Sequence, residues 1–357
     1  MQWIDEIIKK HNQEEQGRIQ FSGAILISTK GEINYENSCG FSNRSDKIKN
    51  TTNTRFGIAS GCKIFTAIAI CQLVEKGLLD FNTSLGDIGI DLGQLDSAIT
   101  VHHLLAHTSG IADYFDEEFM TDYEGLWKTM PMYTMTSPKC FLPMFKHSPS
   151  KFAPGTQFSY NNAGFIVLGL IVEKLSGLSF NHYVQEHIFL PCGMHDSGYF
   201  SMDQLPERTA IGYVGNDGNW KTNIYAIPIV GGPDGNWKTN IYAIPIVGGP
   251  DGGAYTTVHD LDKFWNALME NRLLSKELTE KMLYPHARES EYIHYGYGVW
   301  MIIDHNKVFK FFVMGSDPGV VMQSSYYPAS KTQAHVIANA NSGASFIASQ
   351  IDANLFE

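Results

Sequence analysis

TRFGIASGCKIFTAIAICQLVEKGLL, residues 54–79, is the stretch on which the reading turns. Apolar residues recur at helical spacing (Ile64, Ala67, Ile68, Cys71, Val74), Gly77 closes the run, and Ser60 stands at its mouth. Lys63 follows three residues on, so a helix puts its amine one turn along the same face, within reach of the Ser60 hydroxyl. A serine hydroxyl needs a base to become a nucleophile, and a desolvated lysine can serve. The helix N-terminus favours the negative charge that develops during attack. Taken alone the pattern is weak, because a capping serine followed by a solvated lysine arises often by chance.

On the N-terminal side, FSGAILIST (21–29) and EINYENSCGF (32–41) read as a hairpin turning at Lys30-Gly31, preceded by an amphipathic helix over 2–15 with Trp3, Ile7 and Ile8 on one face. On the C-terminal side, residues 84–200 are dominated by helical patterns and loops, including an aromatic and Met-rich stretch at 114–147 that packs as core by default and can also line a cleft. Beyond residue 253 come a helix (257–270), four strands (295–304, 307–315, 320–328, 333–341) and a closing helix (346–356). The predicted fold is α/β: an antiparallel sheet built from both termini (1–83 and 251–357), flanked by terminal helices, with an inserted mainly helical domain (84–250). The site is expected in the groove between them.

DGNWKTNIYAIPIVGGP occurs at 217–233 and again, letter for letter, at 234–250. Two perfect copies are too few for a solenoid and point to a recent tandem duplication. One copy is surplus. Seventeen is an odd number, and an odd shift in a strand reverses which side chains face the core. The surplus is therefore expected to bulge beside the active-site groove, and an exposed apolar strand there allows self-association through the duplicated segment.

With 26 Lys+Arg against 37 Asp+Glu the formal charge is -11, which argues against a nucleic-acid partner. No stretch stays apolar long enough to span a bilayer, and FIVLGLIVEKL (165–175) reads as a buried helix. The start lacks the pattern of a secretory leader, and the five cysteines are odd in number and scattered. A cytoplasmic protein is the expectation, or an extracytoplasmic one if a leader has been removed. His102, His103 and His107 cluster, as do His182, His187, Cys192 and His195, but neither set has metal-ligand spacing, so no metal and no cofactor are expected.

Two further motifs carry chemistry. In Tyr160-Asn161-Asn162 a tyrosine near a lysine can be pushed toward phenolate as a general base, and an asparagine two residues on can hold a substrate amide; core packing and helix capping are the plain alternatives. In Gly315-Ser316-Asp317-Pro318-Gly319, glycine lets a strand approach a ligand and the next N–H can enter an oxyanion hole, although the same residues make a good turn.

Order and spacing bind these pieces together. Residues 54–79, ITVHHLLAHTSGI (99–111), FAPGTQFSYNNAGFIVLGLIVEKLSG (152–177) with IFLPCGM (188–194), GGPDGGAYTTVHDLDKFWNAL (248–268) and YGYGVWM (295–301) resemble, in that order, the serine β-lactamase and penicillin-binding protein superfamily in its class C-like branch. The resemblance implies Ser60 as the acylated nucleophile, Lys63 as its activating partner and Tyr160 as the base for nucleophile or water. It implies Asn162 as a ligand for substrate amide and for Lys63, and the N–H groups of Ser60 and Ser316, beside Gly315, as the oxyanion hole. The family's Lys or His two residues before that glycine is Val313 here, which removes the cation that meets a substrate carboxylate. The implied function is a serine hydrolase acting through an acyl-enzyme on small esters, amides or β-lactam-like substrates. The alternatives are a true β-lactamase or DD-peptidase, and a catalytically silent penicillin- or peptide-binding sensor.

Overall fold

The computed structural model describes residues 1–13, 20–215, 229–232, 235–341 and 343–356. Helix α1 (Gln2–Gln13) precedes the hairpin β1 (Gly23–Thr29) and β2 (Glu32–Cys39). Its turn falls on Lys30 and Gly31, both in the left-handed region, as the Lys-Gly pair predicts. Residues 14 and 15 of the expected first helix lie outside the described residues.

Helix α2 (Lys63–Glu75) follows a 3₁₀ turn over Ala59–Cys62, so Ser60 sits in that turn while Cys62 takes the capping position. The stripe of apolar residues predicts one buried face, yet every side chain from Ile64 to Leu73 is buried. The helix is enclosed by α4 (Asn162–Ser176), by residues 180–189 and by the helix Lys276–Met282, while the short α3 (Val101–Leu105) packs on α4. A continuous apolar core joins the helical part to the sheet.

A small three-stranded sheet comes next: β3 (Tyr213–Gly215), β4 (Ile229–Gly232) and β5 (Gly235–Thr239), in the order β3-β5-β4. After α5 (Val258–Met269) the chain lays down β6 (Ala287–Arg288), β7 (Ile293–Tyr295), β8 (Trp300–Asp304), β9 (Lys307–Asp317), β10 (Val320–Tyr327) and β11 (Thr332–Ala338), then α6 (Ala344–Phe356). The main sheet has eight strands in the order β6-β7-β8-β9-β10-β11-β1-β2, all antiparallel. Gly23↔Ala338 to Thr29↔Thr332 join the two ends of the sequence in one ladder, as expected of a sheet built from both termini. Ile4, Ile7 and Ile8 of α1 and Ile347 and Ile351 of α6 pack with Ile25, Ile27 and Val336 on the outer face. Residues 209–213 also tie to the sheet part, through Ala210 N–H to Arg55 O (2.8 Å) and Tyr213 N–H to Asn339 O (3.0 Å). No single helix among the described residues is long and apolar enough to cross a membrane.

The repeat resolves unequally. The second copy makes the fold's own contacts: Trp127 Nε1–H donates to Ala243 O (2.9 Å), Ile246 N–H to Met132 O (3.1 Å) and Asn181 Nδ2 to Gly248 O (3.1 Å). Pro250 packs so closely on Gly169 that a Cβ there would lie 1.9 Å from its ring. Of the first copy, residues 217–228 and 233 lie outside the described residues, but its Ile229–Gly232 pairs with the second copy's β5. These four residues stay out of the main sheet and form an end strand of the separate small one, where an odd shift inverts nothing in the main core; the expected bulge falls on residues outside the described ones.

Because the copies are identical, deleting 217–233 or 234–250 gives the same polypeptide. In it Tyr213 and Gly215 pair with Thr and Trp just as they now pair with Thr239 and Trp237, across a short Asn-Asp-Gly-Asn loop. Shortening a loop by two doublings recovers about 1 kcal/mol of closure entropy. The deletion variant is expected to be folded with an equal or higher Tm in thermal unfolding; an unfolded variant would show that both copies are integral.

Candidate active site

Ala59, immediately before the nucleophile, has φ +46°, a left-handed conformation unusual for alanine, and the turn it starts aims Ser60 into the groove. Lys63, 1% exposed, points back from the first residue of α2. Its Nζ lies 2.9 Å from Ser60 Oγ, 2.7 Å from Asn162 Oδ1 and 2.6 Å from Asp251 O. Three acceptors match three N–H groups of an ammonium. The same contacts suit a neutral amine that donates to Asn162 and Asp251 and accepts from the Ser60 hydroxyl.

Tyr160 sits at the end of the loop before α4, with Lys63 Nζ 4.9 Å from its ring centroid and its hydroxyl near Ser60. Burial holds the phenol well above its ordinary pKa, and the charges of Glu117, Asp113 and Asp251 add to this, outweighing the opposing influence of the nearby Ser60 hydroxyl. Tyr160 is therefore protonated at rest; the expectation that its surroundings push it toward phenolate is corrected. His107 lies beneath it, with ring centroids 4.4 Å apart, accepts from Asn161 N–H through Nδ1 (3.1 Å), and is kept neutral by burial and by Lys63.

Gly315 carries β9 against the nucleophile turn. A Cβ there would lie 2.2 Å from Ile58 O and 2.9 Å from Ser60 N, so no side chain fits. Ser316, the next residue, lines the cleft with Ser60 and Asn162. Val313 shares the Gly315 face by strand alternation and is 4% exposed, packed in the core.

The sequence brought Ser60, Lys63, Tyr160, Asn162, Gly315 and Ser316 forward, and the structure gathers all six. It adds carboxylates that the sequence reading missed. Asp113 Oδ2 accepts from Asn162 N–H (2.6 Å) and Oδ1 from Ala163 N–H (3.0 Å), and burial pushes its carboxyl up to about 7. Asp317 is likewise pushed up to about 7 by burial and by Asp251, while Tyr114 bonds the Asp251 side chain. The only advance signal was position: Asp113 follows the His107 turn and Asp317 follows Ser316.

The cleft has a volume of about 440 Å³. Tyr114, Phe115, Tyr123 and Phe141 of the aromatic stretch form one wall, while Met132, Met135 and Phe145 from the same stretch are buried. Ile244 to Gly249 of the second repeat copy form another. Among the described lining residues are five acids (Glu117, Asp122, Glu124, Asp251, Asp317) and no Lys, Arg or His. No group of three or more His, Cys, Asp or Glu among the described residues could hold a metal ion.

The Beta-lactamase family model matches residues 4–308. A penicillin-binding protein of Bacillus subtilis (strain 168) is 32% identical over 288 residues, which are 79% of this chain and 60% of that protein, so the chain spans less than two thirds of this relative's length. The crystal structure of a penicillin-binding protein from Bacillus halodurans superposes with a TM-score of 0.89 at 46% identity, covering 98% of this chain and 99% of that one. An octameric penicillin-binding protein homologue from Pyrococcus abyssi gives 0.79 at 26% identity, over 99% and 76%. A D-amino acid amidase from Ochrobactrum anthropi SV3 gives 0.75 at 20% identity, over 99% and 98%, a likeness of fold alone.

Proposed function

The chain belongs to the Beta-lactamase family, and from that premise we propose that it is a serine hydrolase that forms an acyl-enzyme on Ser60 and prefers neutral or amine-bearing esters and amides to penicillins. Lys63 takes the Ser60 proton as the hydroxyl attacks the carbonyl carbon. The N–H groups of Ser60 and Ser316 receive the oxyanion. Tyr160, protonated at rest, passes its proton to the leaving group as the carbonyl reforms; when water then attacks the ester, the Tyr160 oxygen takes the water's proton and Lys63 returns its proton to Ser60 Oγ as that oxygen leaves.

The observation that carries the substrate preference is a cleft wall with no Lys, Arg or His among its described residues: Val313 stands where the family has Lys or His, and five acids line that wall. A carboxylate beside the scissile bond would meet no cation among those wall residues, whereas an ammonium would meet several acids. The fold shared with a protein described as a D-amino acid amidase makes amino acid amides the first amides to try. The octameric state of the Pyrococcus abyssi homologue supports self-association as part of this reading.

Steady-state kinetics test it. Short neutral esters and amino acid amides are expected to give a higher kcat/KM than benzylpenicillin. Val313→Lys is expected to shift that ratio toward the penicillin by about tenfold or more, since a charge-assisted hydrogen bond contributes about 1.5–3 kcal/mol. A wild-type enzyme that already favours penicillins would refute the preference.

A further inference from the structure

Asn162 holds its amide in one orientation, and that orientation matters to Lys63. Oδ1 accepts from Lys63 Nζ at 2.7 Å, so Nδ2 points the other way, toward Asp113 Oδ2 (3.3 Å), Phe115 O (3.4 Å) and Glu117 Oε1 (3.4 Å). Turned over, the amide would set its NH₂ against the lysine amine, donor against donor. Of the three acceptors behind Nδ2, Asp113 is the nearest and the most firmly fixed. Its two oxygens accept from the first two N–H groups of α4 at 2.6 and 3.0 Å, a position that the helix N-terminus favours for a carboxylate. Neither oxygen bonds Ser60 or Lys63 among the described contacts.

We propose that Asp113 is a positioning residue for acyl transfer: it locks the Asn162 amide so that Oδ1 faces Lys63 and keeps that amine aimed at Ser60. The chain Asp113–Asn162–Lys63–Ser60 crosses from the loop after the His107 turn to α4, then to α2 and the nucleophile turn, so one carboxylate sets the geometry of three elements. This rests on the acyl-enzyme reading of Ser60 and Lys63 and adds a residue to it.

The test is a double-mutant cycle on ester hydrolysis. Asp113→Asn keeps an oxygen for one helix N–H but cannot accept from Nδ2 and both N–H groups as the carboxylate does. It is expected to lower kcat by about 10²-fold, the scale of a reacting group misplaced by an ångström, with KM within about threefold of wild type. Asn162→Ala is expected to cost a similar factor, and the double variant no more than the larger single loss, because both act through one contact. A residue that only capped α4 would lower Tm, leave kcat near wild type, and add its effect to that of Asn162→Ala. Should Asp113→Asn not fold, Asp113→Ser, which still caps a helix N–H, takes its place in the same cycle. An active wild type with kcat of the Asp113 variant within threefold, or a fully additive double variant, overturns the inference alone. A wild type that hydrolyses no ester overturns it together with the acyl-enzyme reading.

Discussion

Ser60→Ala is expected to abolish labelling by a fluorophosphonate probe and to cut ester turnover by roughly 10⁶-fold, the loss a serine hydrolase suffers without its nucleophile. Among the described lining residues the other serine, Ser316, belongs to the strand opposite and shares none of the Lys63 contacts at 2.6–2.9 Å. The change is also mild for the fold. Ala keeps the backbone of the 3₁₀ turn, and Lys63 still donates to Asn162 Oδ1 and Asp251 O, so the variant should melt within a few degrees of wild type. Lys63→Ala is expected to lose nearly as much activity, since the pair acts as one unit. It should also be less stable, because it empties a buried volume and leaves two acceptors without their donor. Intact-protein mass after exposure to the probe separates the outcomes. A labelled Ser60→Ala enzyme, or one with wild-type turnover, would place the nucleophile elsewhere.

The parts of the molecule governed by local pattern could be read in the sequence. The β1–β2 hairpin announces itself by alternation and a Lys-Gly turn, and α2 and α4 by apolar periodicity closed at Gly77 and Gly177. The nucleophile and its lysine are three residues apart, so a helical turn settles their contact. What surrounds them is not local. The carbonyl that holds Lys63 belongs to Asp251, 188 residues away, and the carboxylate behind Asn162 is 49 residues upstream of it. Asp113 lies in no motif, and Asp251, although it lies in the GGPDGG segment, carries no spacing to Lys63, because a loop that meets its partner only in the folded chain leaves no trace in periodicity. The charge state of Tyr160 was hidden for the same reason. Adjacency to a lysine suggests a phenolate, but the carboxylates of Glu117, Asp113 and Asp251 arrive from separate segments, and with burial they outweigh it. Which repeat copy the fold uses could not be read at all, since identical sequences are distinguished only by what precedes and follows them.

Tyr160→Phe keeps the ring over Lys63 and against His107 and removes only the oxygen that lies near Ser60, so stability should change little while chemistry should suffer. Loss of a positioned proton donor costs about 10²–10⁴-fold in rate. The size within that range is expected to follow the leaving group. An alkyl amide or alkyl ester expels a strongly basic nitrogen or oxygen that needs a proton as the bond breaks, and there kcat/KM should approach the upper end. A nitrophenyl ester expels a phenolate that departs without one, and there the loss should be tenfold or less. The contrast comes from the resting state. A phenol held protonated by burial and by its acidic neighbours can give a proton before it can take one, whereas a phenolate base would act on Ser60 whatever group leaves. Measuring kcat/KM of wild type and Tyr160→Phe on a matched amide, alkyl ester and nitrophenyl ester separates the cases. An equal large loss on all three would make Tyr160 the base for Ser60, and a loss below threefold on all three would make it a packing residue.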